Sequence, residues 1–192
     1  SLHRLRERQQ HEGAPRLPPD TKLLRAFLAS LPFAPTTAQT RVMGEIAADL
    51  AKPVPMMRLV QGDVGSGKTL VAAGAALQAV GNRFQVAIMA PTEILAEQHW
   101  RTFSQWFEPL GITMEWLSGR SKGNRRASAL ARIASGEASL VIGTHALFQA
   151  DVAFARLGLV IVDEQHRFGV HQRLTLTQKT APELGRAHQL VM

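Results

Sequence analysis

Met57-Arg58-Leu59-Val60 runs through Gln61 into Gly62-Asp63-Val64-Gly65-Ser66-Gly67-Lys68-Thr69, and the reading of this stretch decides the fold. Its second part matches G-x-x-x-x-G-K-[ST]. Three glycines let the backbone curl until successive N–H groups point inward at phosphate oxygens, and the helix that starts there adds its positive dipole end. The run before it is apolar enough for a buried strand, and Lys68–Val80 after it has helical character. That order of strand, loop and helix is the context the phosphate-binding mechanism needs. In it Lys68 reaches the β- and γ-phosphates of ATP, and the Thr69 hydroxyl ligates Mg²⁺.

Outward from this stretch the chain alternates. Apolar runs bounded by turns predict strands at Gln85–Ala90, Ile112–Leu117, Leu140–Ile142, Leu157–Val162 and Gln189–Met192. Helical stretches fall between them at Glu93–Phe107, Lys122–Ser135 and Gln172–Thr180. Continuous apolar strands separated by amphipathic helices mean a mostly parallel sheet flanked by helices. With the phosphate loop, this predicts an α/β, RecA-like P-loop NTPase domain. Upstream, Gly13 to Asp20 is a Pro-rich break, preceded by a charged stretch with room for a helical turn or two. Leu23, Leu24, Phe27, Leu28 and Leu31 form one helical stripe that Pro32 ends. A second helix, capped by Thr36 or Thr37, carries Val42, Met43, Ile46, Ala47 and Leu50 inward. Residues 1–30 are thus expected to be linker and a short helical segment, and residues 31–192 the nucleotide-binding lobe. The final strand reaches the last residue with no turn after it, where a functional loop would follow, so a fragment of a longer protein is expected.

Composition narrows the partners. The 192 residues are 45% hydrophobic, enough for a packed core, and carry a formal charge of +7 that favours polyanions such as nucleic acid. There is no cysteine, so disulfide frameworks and thiolate zinc sites are excluded, and the seven histidines show no metal-ligand spacing. No apolar run approaches the roughly 18 residues of a membrane span.

A second acidic site follows the apolar run Leu159-Val160-Ile161-Val162, which ends in Asp163-Glu164. Asp163 is placed to hold Mg²⁺ through its water shell, and Glu164 to polarise the water that attacks the γ-phosphate. A water-activating glutamate favours hydrolysis over transfer to a small-molecule acceptor.

Asp163-Glu164-Gln165-His166 is the pattern of superfamily 2 helicases, and the longer run Asp163 to Arg173 resembles the RecG family of bacterial branched-DNA helicases. L-P-F-A-P-T-T-A-Q, ending at Gln39, resembles that family's adenine-reading segment, with Pro35 where leucine is usual. Q-G-D-V-G-S-G-K-T, A-P-T-E-I-L-A-E-Q-H and V-I-G-T-H-A-L also resemble its segments, in the expected order. The resemblance covers about Leu31 to Met192. It implies an ATP-dependent DNA helicase or translocase that remodels replication forks and branched DNA in recombination and repair, in the bacterial cytoplasm and nucleoid-associated. It further implies a Ser/Thr-Ala-Thr motif just past Met192, a second RecA-like lobe and a wedge domain. The transcription–repair coupling translocases have a similar motor but tend to carry D-E-E-Q and a tyrosine in the phosphate loop; Gln165, His166 and Ser66 side with RecG.

The DNA-facing candidates rest on geometry and resemblance together. Thr92 and Thr144-His145 fall on loops at carboxyl ends of strands, where hydroxyls and N–H groups can grip a phosphate backbone without reading bases. Gly119, with Arg120, Lys122, Arg125 and Arg126, forms a basic loop and helix start. Plainer readings stand beside these: Thr92 as a helix cap, His145 as an internally partnered loop histidine, the basic cluster as a solvated face. Two other classes stay open, a P-loop enzyme acting on a small molecule and a nucleotide-regulated binding module without motor activity.

Overall fold

A computed structural model describes residues 13–61, 66–163 and 175–192. Gly62, Asp63, Val64, Gly65, the Ser66 side chain, Glu164, the rest of the run to Arg173 and the first twelve residues lie outside the described residues.

The first helices carry their own start signals. In α1 (Thr21–Ser30) the Asp20 carboxylate accepts from the Leu23 N–H. In α2 (Thr37–Leu50) the cap is Thr36, whose hydroxyl accepts from the Gln39 N–H while the Gln39 side chain accepts from the Thr36 N–H. This reciprocal pair satisfies two N–H groups a helix start leaves open. There follow β1 (Met57–Leu59), α3 (Ser66–Gly81), β2 (Gln85–Met89), α4 (Glu93–Phe107), β3 (Met114–Leu117), α5 (Gly123–Ser135), β4 (Leu140–Gly143), β5 (Leu157–Val162) and β6 (His188–Val191). The strand Leu157–Val162 has the expected limits, and the others differ from expectation by a residue or two. Of the expected Gln172–Thr180 helix, residues 175–177 are helical and a turn follows at Gln178. The chain reverses there: the Ala187 N–H, just before β6, donates to the Thr177 carbonyl.

The six strands form one parallel sheet in the order β1-β6-β5-β2-β4-β3. Their last residues fall in register, giving one transverse row: Leu59, Val191, Val162, Met89, Gly143, Leu117. Because all strands point the same way, every loop that follows one leaves from this edge. That row positions the site.

Alternate strand residues serve opposite faces. Val86, Ile88, Leu159 and Ile161 pack with Phe27, Leu70, Leu77 and Phe103 from the helices of one face. Ala87, Met89, Val160 and Val162 pack with Ile133 of α5 and with Leu176 on the other. Residues 13–30 lie against the first of these cores. Leu17 and Phe27 are fully buried there, and Phe27 meets Trp106 and Phe107 of α4 edge-on. This is a RecA-like α/β fold, and no described helix is long and apolar enough to cross a membrane.

Candidate nucleotide and nucleic-acid site

The first half of the site forms where β1 hands over to α3. Lys68 and Thr69 lie in the first turn of α3, beside the Gly67 backbone. Opposite them, α2 brings Gln39, whose amide nitrogen donates to the Gly67 carbonyl at 3.4 Å. Its oxygen is held by the Thr36 N–H at 2.8 Å. Between the two helices lies a cavity of about 380 Å³, lined by Thr36, Gln39, Gln61, Gly67, Lys68 and Val71 among others. Gln39, twenty-eight residues upstream of the loop glycine it touches, therefore shares one cleft with Lys68. An apolar wall, a carboxamide and an ammonium lining one cleft suit a base joined to phosphates.

Asp163 follows β5 and is 9% exposed. Its backbone N–H continues the sheet by donating to the Met89 carbonyl at 3.0 Å. In the same way the Val60 N–H, after β1, donates to Val191. Only β6 lies between these two strand ends, so with strands roughly 4.8 Å apart they are separated by about 10 Å. Lys68 and Asp163 thus belong to one edge of the molecule. The Asp163 carboxylate takes a hydrogen bond from His99 Nε2 of α4 at 3.0 Å. One fixed carboxylate, with Thr69 in the helix turn beside the cleft, suits Mg²⁺, which keeps waters and phosphate oxygens for most of its ligands.

The remaining strand ends carry the candidate nucleic-acid contacts. Thr92 is the cap of α4, its hydroxyl accepting from the Leu95 N–H at 3.2 Å, so the plainer reading describes what that side chain does. Thr144, after β4, is only 5% exposed, and its hydroxyl donates to Glu93 Oε1 at 3.2 Å. The Gly119 N–H, after β3, donates to the same oxygen at 3.0 Å. Ser118 Oγ donates to Glu93 Oε2 at 3.3 Å. His145 is exposed and opens a short 3₁₀ turn. Three loops far apart in sequence are therefore joined through one carboxylate. Sequence reasoning missed Glu93 and His99 as individuals, although both stand in the quoted A-P-T-E-I-L-A-E-Q-H; nothing local marks either as more than a polar residue of a helix.

A family model described as DEAD/DEAH box helicase matches residues 36–192. The chain belongs to the DEAD/DEAH box helicases. Within that family it is similar over its whole length to the ATP-dependent DNA helicase RecG of Pasteurella multocida, at 57% identity, covering 28% of that protein. RecG of Bacillus subtilis is 50% identical over 173 residues, covering 90% of the chain and 25% of the relative. The helicase domain thus spans about a quarter of the length of these relatives. A solved structure of RecG bound to a three-way DNA junction aligns with a TM-score of 0.85 at 40% identity, over 98% of the chain and 25% of that protein. The helicase domain of Pyrococcus furiosus Hef aligns at 0.60 with 22% identity, a likeness of fold alone.

Proposed function

We propose that this DEAD/DEAH box domain is the ATP-binding motor lobe of an ATP-dependent DNA helicase that translocates on and remodels branched DNA, forks and junctions. The observation that carries the proposal is the shared edge. The Gln39–Lys68 cleft opens where β1 leads into α3, and Asp163 and the loops of Thr92, Gly119 and Thr144 follow strands whose ends lie in the same row. The whole-length similarity to RecG supports the choice of DNA and of branched substrates.

In this reading Gln39 orients the adenine, and Lys68 draws the β- and γ-phosphates against the start of α3. The loop from Gly62 through Asp63, Val64, Gly65, Ser66 and Gly67 supplies backbone N–H groups to the same oxygens. Thr69 and Asp163 would hold Mg²⁺, which neutralises charge developing on the phosphates. His99 keeps the Asp163 carboxylate turned to one orientation. Glu164 receives a proton from the attacking water. A second RecA-like lobe and a wedge domain in the longer protein would close on the nucleotide and part the strands, and residues 1–30 would lead into the lobe. Such a protein works in the bacterial cytoplasm, at the nucleoid.

The test is ATP hydrolysis by the full-length protein with branched DNA, single-stranded DNA or none. Branched DNA should give the fastest turnover. Equal rates in all three would favour a nucleotide-regulated module, and phosphate appearing on a small acceptor would favour a kinase.

A further inference from the structure

Glu93 is the first residue of α4, where a carboxylate gains from the helix dipole. Three donors converge on it: the Gly119 N–H and Thr144 hydroxyl on Oε1, and the Ser118 hydroxyl on Oε2. These come from the loops after β3 and β4, while Glu93 itself follows the loop after β2. The strands concerned are neighbours, in the order β2-β4-β3. Hydrogen bonds to an ionised acceptor are roughly twice as strong as neutral ones. Here they tie the ends of three neighbouring strands together through one side chain.

The arrangement changes what the loops offer to a ligand. Thr144 is buried and directed at Glu93, and the Gly119 N–H is already engaged. What the two loops turn outward is exposed Arg120 and exposed His145. We propose that Glu93 is a positioning residue for DNA: its carboxylate pins three strand-end loops into one surface, so that their outward groups meet successive backbone phosphates without a search. Ordering the loops in advance lowers the entropy lost on binding. Thr144 and Gly119 then serve DNA through Glu93 rather than by direct contact. The inference rests on the motor reading above and names the residue that sets its DNA-binding surface.

The test uses the full-length protein and a three-way junction DNA, with ATP hydrolysis followed against DNA concentration. Glu93→Ala removes all three links; Glu93→Gln keeps an oxygen able to accept from Gly119. The half-saturating DNA concentration should rise about tenfold in the alanine variant, equivalent to about 1.4 kcal/mol. It should rise less in the glutamine variant, while the maximal rate at saturating DNA stays within about twofold of the parent. Glu97→Ala, which breaks an exposed pair with Arg101 on the same helix, should change neither quantity. Unchanged half-saturation in both Glu93 variants would overturn the inference, as would a lowered maximal rate alone. Tighter DNA binding by Glu93→Gln would also overturn it, showing the carboxylate to be a phosphate stand-in that DNA must displace. A parent protein that DNA does not stimulate at all would bring down the motor reading first.

Discussion

His188 opens β6 at the end of the sheet away from the nucleotide cleft, and its side chain is fully buried. Its Nδ1 accepts from the Met56 N–H at 2.9 Å, and its Nε2–H donates to the Pro15 carbonyl at 2.8 Å. One imidazole therefore clasps the Pro-rich leading segment to the start of β1. His188→Leu keeps the volume but leaves a buried donor and a buried acceptor without partners. At about 1–3 kcal/mol for each group, the loss is about 2–6 kcal/mol. With a urea dependence of about 2 kcal/mol per M, the unfolding midpoint of the chain at pH 7.5 should fall by roughly 1–3 M at unchanged slope. A fall of less than about 0.3 M would refute the premise that both hydrogen bonds hold the segment down.

The same residue makes stability depend on pH. Desolvation by burial pushes the His188 pKa below its ordinary value, opposed by the hydrogen bond to Pro15 and by the Asp49 charge. Between the lowered native value and the unfolded value of about 6.5, the unfolded chain binds more protons than the native one. Stability contributed by the neutral ring is complete above about pH 6.5 and declines as pH falls below it, by at most about 1.4 kcal/mol per unit. It levels off once pH passes the native value. His188→Leu should remove this component of the acid dependence.

Other substitutions separate fold from function. Lys68→Ala in the full-length protein should abolish ATP hydrolysis and leave junction binding without nucleotide largely intact; a variant that no longer binds junctions in a gel-shift assay would contradict the role assigned to Lys68. The 192-residue chain alone should bind nucleotide weakly and hydrolyse it barely, with or without DNA, since a second lobe's arginine can be worth about 10³–10⁵ in rate in related phosphate chemistry. Robust DNA-stimulated turnover by the chain alone would refute this. Gly158→Ala should lower stability by about 1–3 kcal/mol in urea unfolding, because an added Cβ meets the root of the Phe84 side chain at 2.8 Å. Gly74→Ala should be near neutral or stabilising, since its added Cβ comes too close only to the terminal methyl of the flexible Met43 side chain, and alanine favours the helix by about 1 kcal/mol.

Much of the fold was legible because its signals are local. Leu157–Val162 and Glu93–Phe107 were read with the observed limits, one as a continuous apolar run and the other as a periodic pattern after a capping threonine. The stretch from Thr175 to Thr180 was less legible, because a tertiary link between Ala187 and Thr177 turns the chain where periodicity favours continuing. The burial of Leu17 was hidden for a similar reason: a Pro-rich segment reads as linker until a partner such as His188 is placed beneath it. At the site, Gln39 and Lys68 could be named in advance from their segments. That Gln39 also closes its own helix cap could not, because the reciprocal bond depends on side-chain orientation.

The site residues left unread share one property: their partners follow other strands. Glu93 meets Gly119 and Thr144, and His99 meets Asp163, only because β2 lies between β4 and β5 in the sheet. A helix that follows the central strand necessarily runs beside the loops of both neighbours. From Glu93 to His99 is six residues, about 9 Å of rise along α4. One rigid element thus touches the loops on the β4 side at its first turn and the Asp163 carboxylate on the β5 side less than two turns later. In an all-parallel sheet the strand order decides which sites a single helix can link, and the order is a property of the assembled chain that no segment of it carries alone.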